Sequence, residues 1–304
     1  TDLPSKSEIY DMKQDVSGSM WLATMGGGVN KIDLKRYKFE LFNIPSFSSR
    51  LTSQVVYCFY PENENELLLG IRSLGIGLYN LENRTFKDFK QLPVYNEFTS
   101  EINSVFCIFK DSRENLWFGT RYLGLYKKDG KTGKLENIIS RYYFSQGPPP
   151  YSVNCIAEDR YNCLWVGTSE GLIKLVYNHE IDKFDTYKYL PQSRDTNSIC
   201  GKNITSILID SEHVLWIATE DGGISRLTSD LKDHTSLKFE TINDFGLSKL
   251  KVNSHTINVI VEDNKKRIWI GTGTNGIILY DRETNSFRNF PKVIEFTGNT
   301  VYSL

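Results

Sequence analysis

The side chains best suited to recognising a ligand are arginines, carboxylates, amides and aromatics standing just behind short apolar runs. They are Arg72, Arg121, Tyr122, Glu170, Asp221 and Asn275. Tyr142 and Tyr143 add to them from the segment 141–151, where aromatics adjoin three consecutive prolines that stiffen the chain. Aromatic faces stack on the apolar side of a pyranose. Guanidinium, amide and carboxylate groups bind its hydroxyls, or a uronate or sulfate substituent. Bond-making chemistry has no such basis. His179, His213, His234 and His255 match neither HxxxH nor HExxH, and no GxSxG, P-loop or dinucleotide glycine pattern is present, so no catalytic group and no cofactor is expected. Cys58, Cys107, Cys155, Cys163 and Cys200 are odd in number and form no CxxC pair, which argues against a disulfide framework or a zinc ribbon. No metal site is expected either.

Composition narrows the partners. Of 304 residues, 36 are basic and 37 acidic, giving a formal net charge of -1, so no global field favours nucleic acid or an anionic membrane surface. No stretch approaches the roughly 18 to 20 apolar residues of a membrane helix. Aromatics make up 13% of the chain, which points to β-structure rather than helix.

The elements that position these residues follow from an internal repeat. Trp21-Leu-Ala-Thr, Trp117-Phe-Gly-Thr, Trp165-Val-Gly-Thr, Trp216-Ile-Ala-Thr and Trp269-Ile-Gly-Thr share one pattern, and Leu68-Leu-Gly-Ile is a degenerate further copy. The six anchors are spaced 47, 49, 48, 51 and 53 residues apart, a period that suits a four-stranded unit. Six residues before each anchor stands an acid (Asp15, Glu62, Asp111, Asp159, Asp210, Asp263), and six before that an aliphatic (Ile9, Val56, Val105, Val153, Ile204, Ile257). A glycine follows each anchor, and pairs such as Phe184/Tyr187 close the units. The strict repetition of the acids assigns them to turn capping. Cys58, Cys107 and Cys155 share one repeat position, which favours a small side chain.

Each copy therefore reads as an alternating strand, a tight polar turn, a fully buried strand, a glycine-bearing loop, a third strand and an outer fourth. One such sheet cannot bury both faces. Sheets set side by side around a centre bury each other's Trp and aliphatic side chains, which gives an all-β propeller of four-stranded antiparallel blades. The small Gly or Ala two places after the anchor lets neighbouring sheets approach closely. The repeats fall at about 1–50, 51–100, 101–150, 151–200, 201–253 and 254–298, within one propeller domain or fragment. In this arrangement the loop after the second strand and the blade-to-blade connection share one face. That face carries every ligand candidate named above.

The order of acid, polar turn, Leu-Trp-Ile-Gly-Thr, Gly-Gly-Leu and Phe-x-x-Tyr resembles the two-component regulator propeller repeat, most fully at Asp210–Thr219 with Gly222 and Gly223. The resemblance implies the sensor region of a hybrid two-component system, periplasmic, responding to polysaccharide breakdown products, and joined to a histidine kinase that is absent from these residues. It also implies seven blades. Val301-Tyr-Ser-Leu aligns with the first strand of a further unit, so the expectation is a fragment of six repeats and a stub. If open, it would expose sheet edges and form a homo-oligomer; its other partners are an oligosaccharide and the rest of the parent protein. Two other functions stay open from sequence. One is a propeller lyase or glycosidase using carboxylates such as Glu170 and Asp221, and the other is a protein-interaction scaffold with no small ligand.

Overall fold

The computed structural model describes residues 9–14, 20–24, 28–33, 38–42, 55–72, 74–88, 104–139, 152–242, 256–273, 276–282 and 284–289. Among them the chain is all-β, with six antiparallel four-stranded sheets, each a meander of consecutive strands. Sheet one holds β1 (Ile9–Gln14), β2 (Met20–Thr24), β3 (Gly28–Asp33) and β4 (Lys38–Phe42). Sheet two holds β5 (Val56–Asn63), β6 (Glu66–Ile71), β7 (Gly75–Asn80) and β8 (Thr85–Asp88). Sheet three holds β9 (Val105–Lys110), β10 (Leu116–Thr120), β11 (Leu125–Lys128) and β12 (Leu135–Ile139). Sheet four holds β13 (Val153–Glu158), β14 (Leu164–Thr168), β15 (Gly171–Asn178) and β16 (Lys183–Tyr189). Sheet five holds β17 (Ile204–Ile209), β18 (Leu215–Thr219), β19 (Gly223–Leu227) and β20 (Phe239–Ile242). Sheet six holds β21 (Ile257–Glu262), β22 (Ile268–Thr272), β23 (Ile277–Asp281) and β24 (Ser286–Asn289). The chain divides into two compact units, Thr1–Ser152 and Val153–Leu304. The stub at Val301–Leu304 lies outside the described residues.

The second strands β6, β10, β14, β18 and β22 are buried almost throughout, and within each unit consecutive sheets pack against one another. Trp21 and Ala23 of sheet one pack with Phe59, Leu67 and Leu69 of sheet two. Trp216 and Ala218 of sheet five pack with Ile260, Ile268 and Ile270 of sheet six. The anchor and the small residue thus face one neighbour, and the aliphatics between them face the other, as strand alternation requires.

The repeated acid holds two things at once. In sheet four, one Asp159 oxygen accepts the backbone N–H groups of Tyr161 at 2.9 Å and Cys163 at 3.0 Å, while the other accepts the Trp165 indole N–H at 2.9 Å. Asp111 does the same for Arg113, Asn115 and Trp117, Asp210 for Glu212, Val214 and Trp216, and Asp263 for Lys265, Arg267 and Trp269. Turn capping was legible in the sequence; the indole contact was not. The turn is a tight one closed by a left-handed residue, with φ of 68° at Glu114, 58° at Asn162, 64° at His213 and 60° at Lys266. This is the three-residue hairpin geometry in which a type I turn is followed by a positive-φ position.

The first strand of every sheet carries an irregularity just after its leading aliphatic, between Ile9/Asp11, Val56/Cys58, Val153/Cys155, Ile204/Ser206 and Ile257/Val259, and opposite Gly119/Thr120 in sheet three. Beyond this bulge, the shared cysteine position sits across from the small residue of the second strand. Cys58 faces Gly70, Cys107 faces Gly119 and Cys155 faces Gly167, whereas Asp11 faces Ala23 and Ser206 faces Ala218. The pairing has a steric cause. A methyl group on Gly167 would lie 2.4 Å from the Cys155 sulfur and 2.7 Å from Ile204 Cγ2 of the next sheet. Asp11 and Ser206 instead reach outward and accept the backbone N–H of Phe59 at 3.3 Å and Ile260 at 3.2 Å, leaving room for alanine.

Two outcomes follow. Asp111→Ala strips four hydrogen bonds from a buried carboxylate and should cost about 3 kcal/mol or more in urea unfolding, whereas Glu62→Ala, at an exposed ion pair, should stay within about 1 kcal/mol. Gly167→Ala should cost about 1–3 kcal/mol through overpacking, and adding Cys155→Ser, which transplants the Ser206/Ala218 pairing, should recover part of that loss in the same assay.

Candidate functional site

The loops after the second strands are built by the Thr of the anchor motif. Thr120 Oγ1 donates to the Gly124 carbonyl at 2.8 Å and accepts the Leu123 N–H at 3.0 Å. Thr219 repeats this with Gly223 at 3.0 Å and Gly222 at 2.9 Å, and Thr168 with Gly171 at 2.7 Å and Glu170 at 3.1 Å. Gly75, Gly124, Gly171, Gly223 and Gly276 all have positive φ, which explains the glycine after each anchor. The residue after the Thr position is tied to the chain entering the first strand: Arg72 N–H to Val55 O at 2.9 Å, Arg121 N–H to Ser104 O at 3.1 Å, Glu220 N–H to Asn203 O at 2.9 Å. Loop residues are therefore set beside the bulges, whose side chains are re-aimed by the extra residue.

In the first unit the bulged residues are aromatic. Tyr57 and Phe106 meet edge to face with ring centroids 4.7 Å apart, and both are half-buried. Arg72 is exposed, and the Arg121 guanidinium lies 5.0 Å from the Tyr122 ring centroid. Tyr122 is one of three exposed large hydrophobic residues among those described. The sequence pairing of Arg121 with Tyr122 is thus a contact in the structure.

In the second unit the bulged residues are polar and tie sheet to sheet. Asn154 Nδ2 donates to Ile204 O at 2.7 Å and to Asn203 Oδ1 at 3.1 Å, and Thr205 Oγ1 donates to Ile257 O at 2.5 Å. Two of the expected ligand residues are drawn into this scaffold. Asp221 accepts the backbone N–H groups of Lys202 and Asn203, each at 3.4 Å, and Glu170 pairs with Lys202 at 3.4 Å. Glu220, a third carboxylate of this face, accepts the Asn203 amide. These acids organise loops and hold their neighbours in place. Asn275, Tyr142 and Tyr143 lie outside the described residues. Tyr57, Phe106, Asn154 and Thr205 went unnamed in the sequence reading; the signal was their common place one residue after the leading aliphatic, masked by their differing chemistry.

The cysteines are free thiols. Burial pushes the Cys155 thiol up to about 12, raises Cys58 well above its ordinary value, and raises Cys200 as well. A thiol held protonated is a poor metal ligand and nucleophile. Among the described residues, no group of three or more His, Cys, Asp or Glu is placed to hold a metal ion, and no helix is long and apolar enough to cross a membrane.

Six meander sheets of this kind, packed face to face within each unit, are the blades of a β-propeller. Four segments, residues 100–122, 147–170, 198–221 and 251–274, match the two component regulator propeller family. Each match runs from the approach to a first strand to the loop after the second. A histidine kinase, P4, from Formosa agariphila is 27% identical over 178 residues, which is 57% of this chain and 12% of the relative. Among solved structures, the extracellular domain of a putative hybrid two component system from B. thetaiotaomicron matches at 20% identity and a TM-score of 0.57, covering 95% of this chain and 42% of that one. A virginiamycin B lyase from Staphylococcus aureus matches at 15% identity and a TM-score of 0.63, over 97% of this chain and 87% of that one. These structural likenesses speak to fold. The chain spans only part of the length of its signalling relatives.

With iodoacetamide at about pH 8, buried Cys58 should stay unmodified in the native protein, half-buried Cys155 and Cys200 should react much more slowly than in the unfolded chain, and all three should react fully on unfolding. Rapid native labelling at any of the three, read by mass spectrometry, would contradict this account of their burial.

Proposed function

We propose that this chain is the ligand-sensing propeller of a hybrid two-component signalling protein, placed in the periplasm. In this reading it binds an oligosaccharide on its loop face and controls a linked histidine kinase without turning the ligand over. The family match and the resemblance to extracellular domains of such systems support the setting. The ligand class rests on one observation in the first unit, the Tyr57–Phe106 aromatic pair beside the arginine-bearing loops of Arg72 and Arg121. Aromatic rings together with arginines carried on the adjoining loops suit a sugar ring carrying hydroxyl or acidic substituents. It offers no paired carboxylates set apart in environment, which glycoside hydrolysis requires.

The test is a thermal-shift and calorimetric screen against plant and host oligosaccharides. A ligand that binds only the folded state should raise Tm by a few degrees, with no product formed. Arg121→Ala and Tyr57→Ala should each weaken that binding by about tenfold or more. Cleavage of the glycan would favour the lyase or glycosidase reading instead. Absence of any shift across the panel would favour an interaction scaffold.

A further inference from the structure

Sheet two departs from the repeat in a way that opens a groove. Its anchor is Leu68 in place of Trp, and its acid is Glu62 in place of Asp. In sheets three to six the indole and its aspartate lie together at the turn end of the sheet. Sheet two has neither partner. Its first hairpin is longer, carries a second irregularity between Pro61 and Asn63, and is closed by Asn63, which accepts the Asn65 N–H at 2.9 Å. Tyr60, directly across the strand pair from Leu68, supplies the aromatic packing against sheet three. Glu62 points instead to Lys128 of sheet three, at 3.8 Å.

The result is a groove of about 450 Å³, within the range of small-molecule sites. Tyr60 and Glu62 form one wall, Lys110, Glu114 and Lys128 the other, and the turn Asp129–Gly133 closes the end over Leu116. That turn is fixed. Asn115 Oδ1 accepts the Gly130 N–H at 3.1 Å, Asp129 Oδ1 accepts the Thr132 N–H at 2.8 Å, and a Cβ on Gly130 would lie 2.4 Å from the Glu114 carbonyl oxygen. The corresponding gap between sheets four and five is filled, with Trp165 packed beside buried Leu231 and the Lys174 ammonium donating to the Leu231 and Asp233 carbonyls.

We propose that this groove is a second ligand site, separate from the loop face, and that it takes a neutral saccharide of one or two rings. Its lining holds three ammonium and three carboxylate groups, which sum to no net charge. A charged ligand would meet as much repulsion as attraction there. Sugar hydroxyls both donate and accept, so they can bond to each group in turn, while the Tyr60 ring and Leu116 offer an apolar surface. Burial raises the Tyr60 phenol above its ordinary value, which keeps it a neutral donor. The Lys110–Glu114 ion pair at the rim is exposed, and opening it to a ligand costs little.

The experiment is isothermal titration of the chain with xylobiose, lactose and glucuronic acid, comparing wild type with Leu68→Trp, Tyr60→Ala and Arg121→Ala. Leu68→Trp returns an indole to the space it occupies elsewhere in the repeat. Binding of a neutral disaccharide that falls at least about tenfold in Leu68→Trp, with circular dichroism unchanged, and that persists in Arg121→Ala supports the groove. Should Leu68→Trp fail to fold, Tyr60→Ala carries the same expectation. Equal binding in the groove variants and wild type, binding of glucuronic acid alone, or no binding of either disaccharide to wild type would overturn the proposal. The loop-face reading stands or falls separately, on Arg121→Ala.

Discussion

A single carboxylate that closes a turn and holds an indole is the interaction on which sheets three to six depend. The turn amides at the second and fourth residues after the aspartate would otherwise be left unpaired in a sharp reversal, where backbone groups need partners. The indole N–H, buried between sheets, faces the same requirement. Serving both from one side chain fixes the spacing of six residues between acid and Trp. It also sets the depth at which the Trp lies between neighbouring blades, since the hydrogen bond pulls the ring toward the turn end. Where the pair is missing, in sheet two, both partners are missing together, and a groove lies beside that sheet's Tyr60 and Glu62.

The other end of each sheet is governed by the bulge. It shifts register by one residue, so the position after the leading aliphatic is free to carry any side chain. The next position is constrained by whatever stands across from it on the second strand. Cysteine with glycine and serine or aspartate with alanine are two solutions to one packing problem. The first fills space with a thiol. The second frees space by sending a polar side chain to the neighbouring sheet's backbone. The loops thus combine a fixed frame with a freely varying set of side chains, aromatic in the first unit and polar in the second.

Much of this was legible in the sequence because repetition reveals structure. The four-stranded blade, the buried second strand and the glycine after the anchor recur in phase; the capping role holds for Asp111, Asp159, Asp210 and Asp263, while Glu62 departs from it, pairing with Lys128 as Asn63 closes its turn. The indole contact was hidden because hydrogen-bond partners cannot be read from spacing alone, although the joint replacement of Asp and Trp by Glu62 and Leu68 hinted at it. The bulged residues were hidden because Tyr57, Phe106, Asn154 and Thr205 share a position and no chemistry. Glu170 and Asp221 fit the pattern of ligand residues by type, yet unpaired loop amides and a neighbouring lysine compete for the same oxygens. The groove beside Tyr60 was hidden because its lining comes from two different sheets, whose packing spacing alone does not reveal.

The central claim is that the aspartate and the indole act as one unit. It is tested most directly by a double-mutant cycle on Asp159→Asn and Trp165→Phe, read by urea unfolding. A hydrogen bond between a buried charge and an indole predicts a coupling energy of about 1.5–3 kcal/mol. Additive losses, with coupling below about 0.3 kcal/mol, would show that the acid caps its turn independently of the Trp and that the spacing of six has another cause.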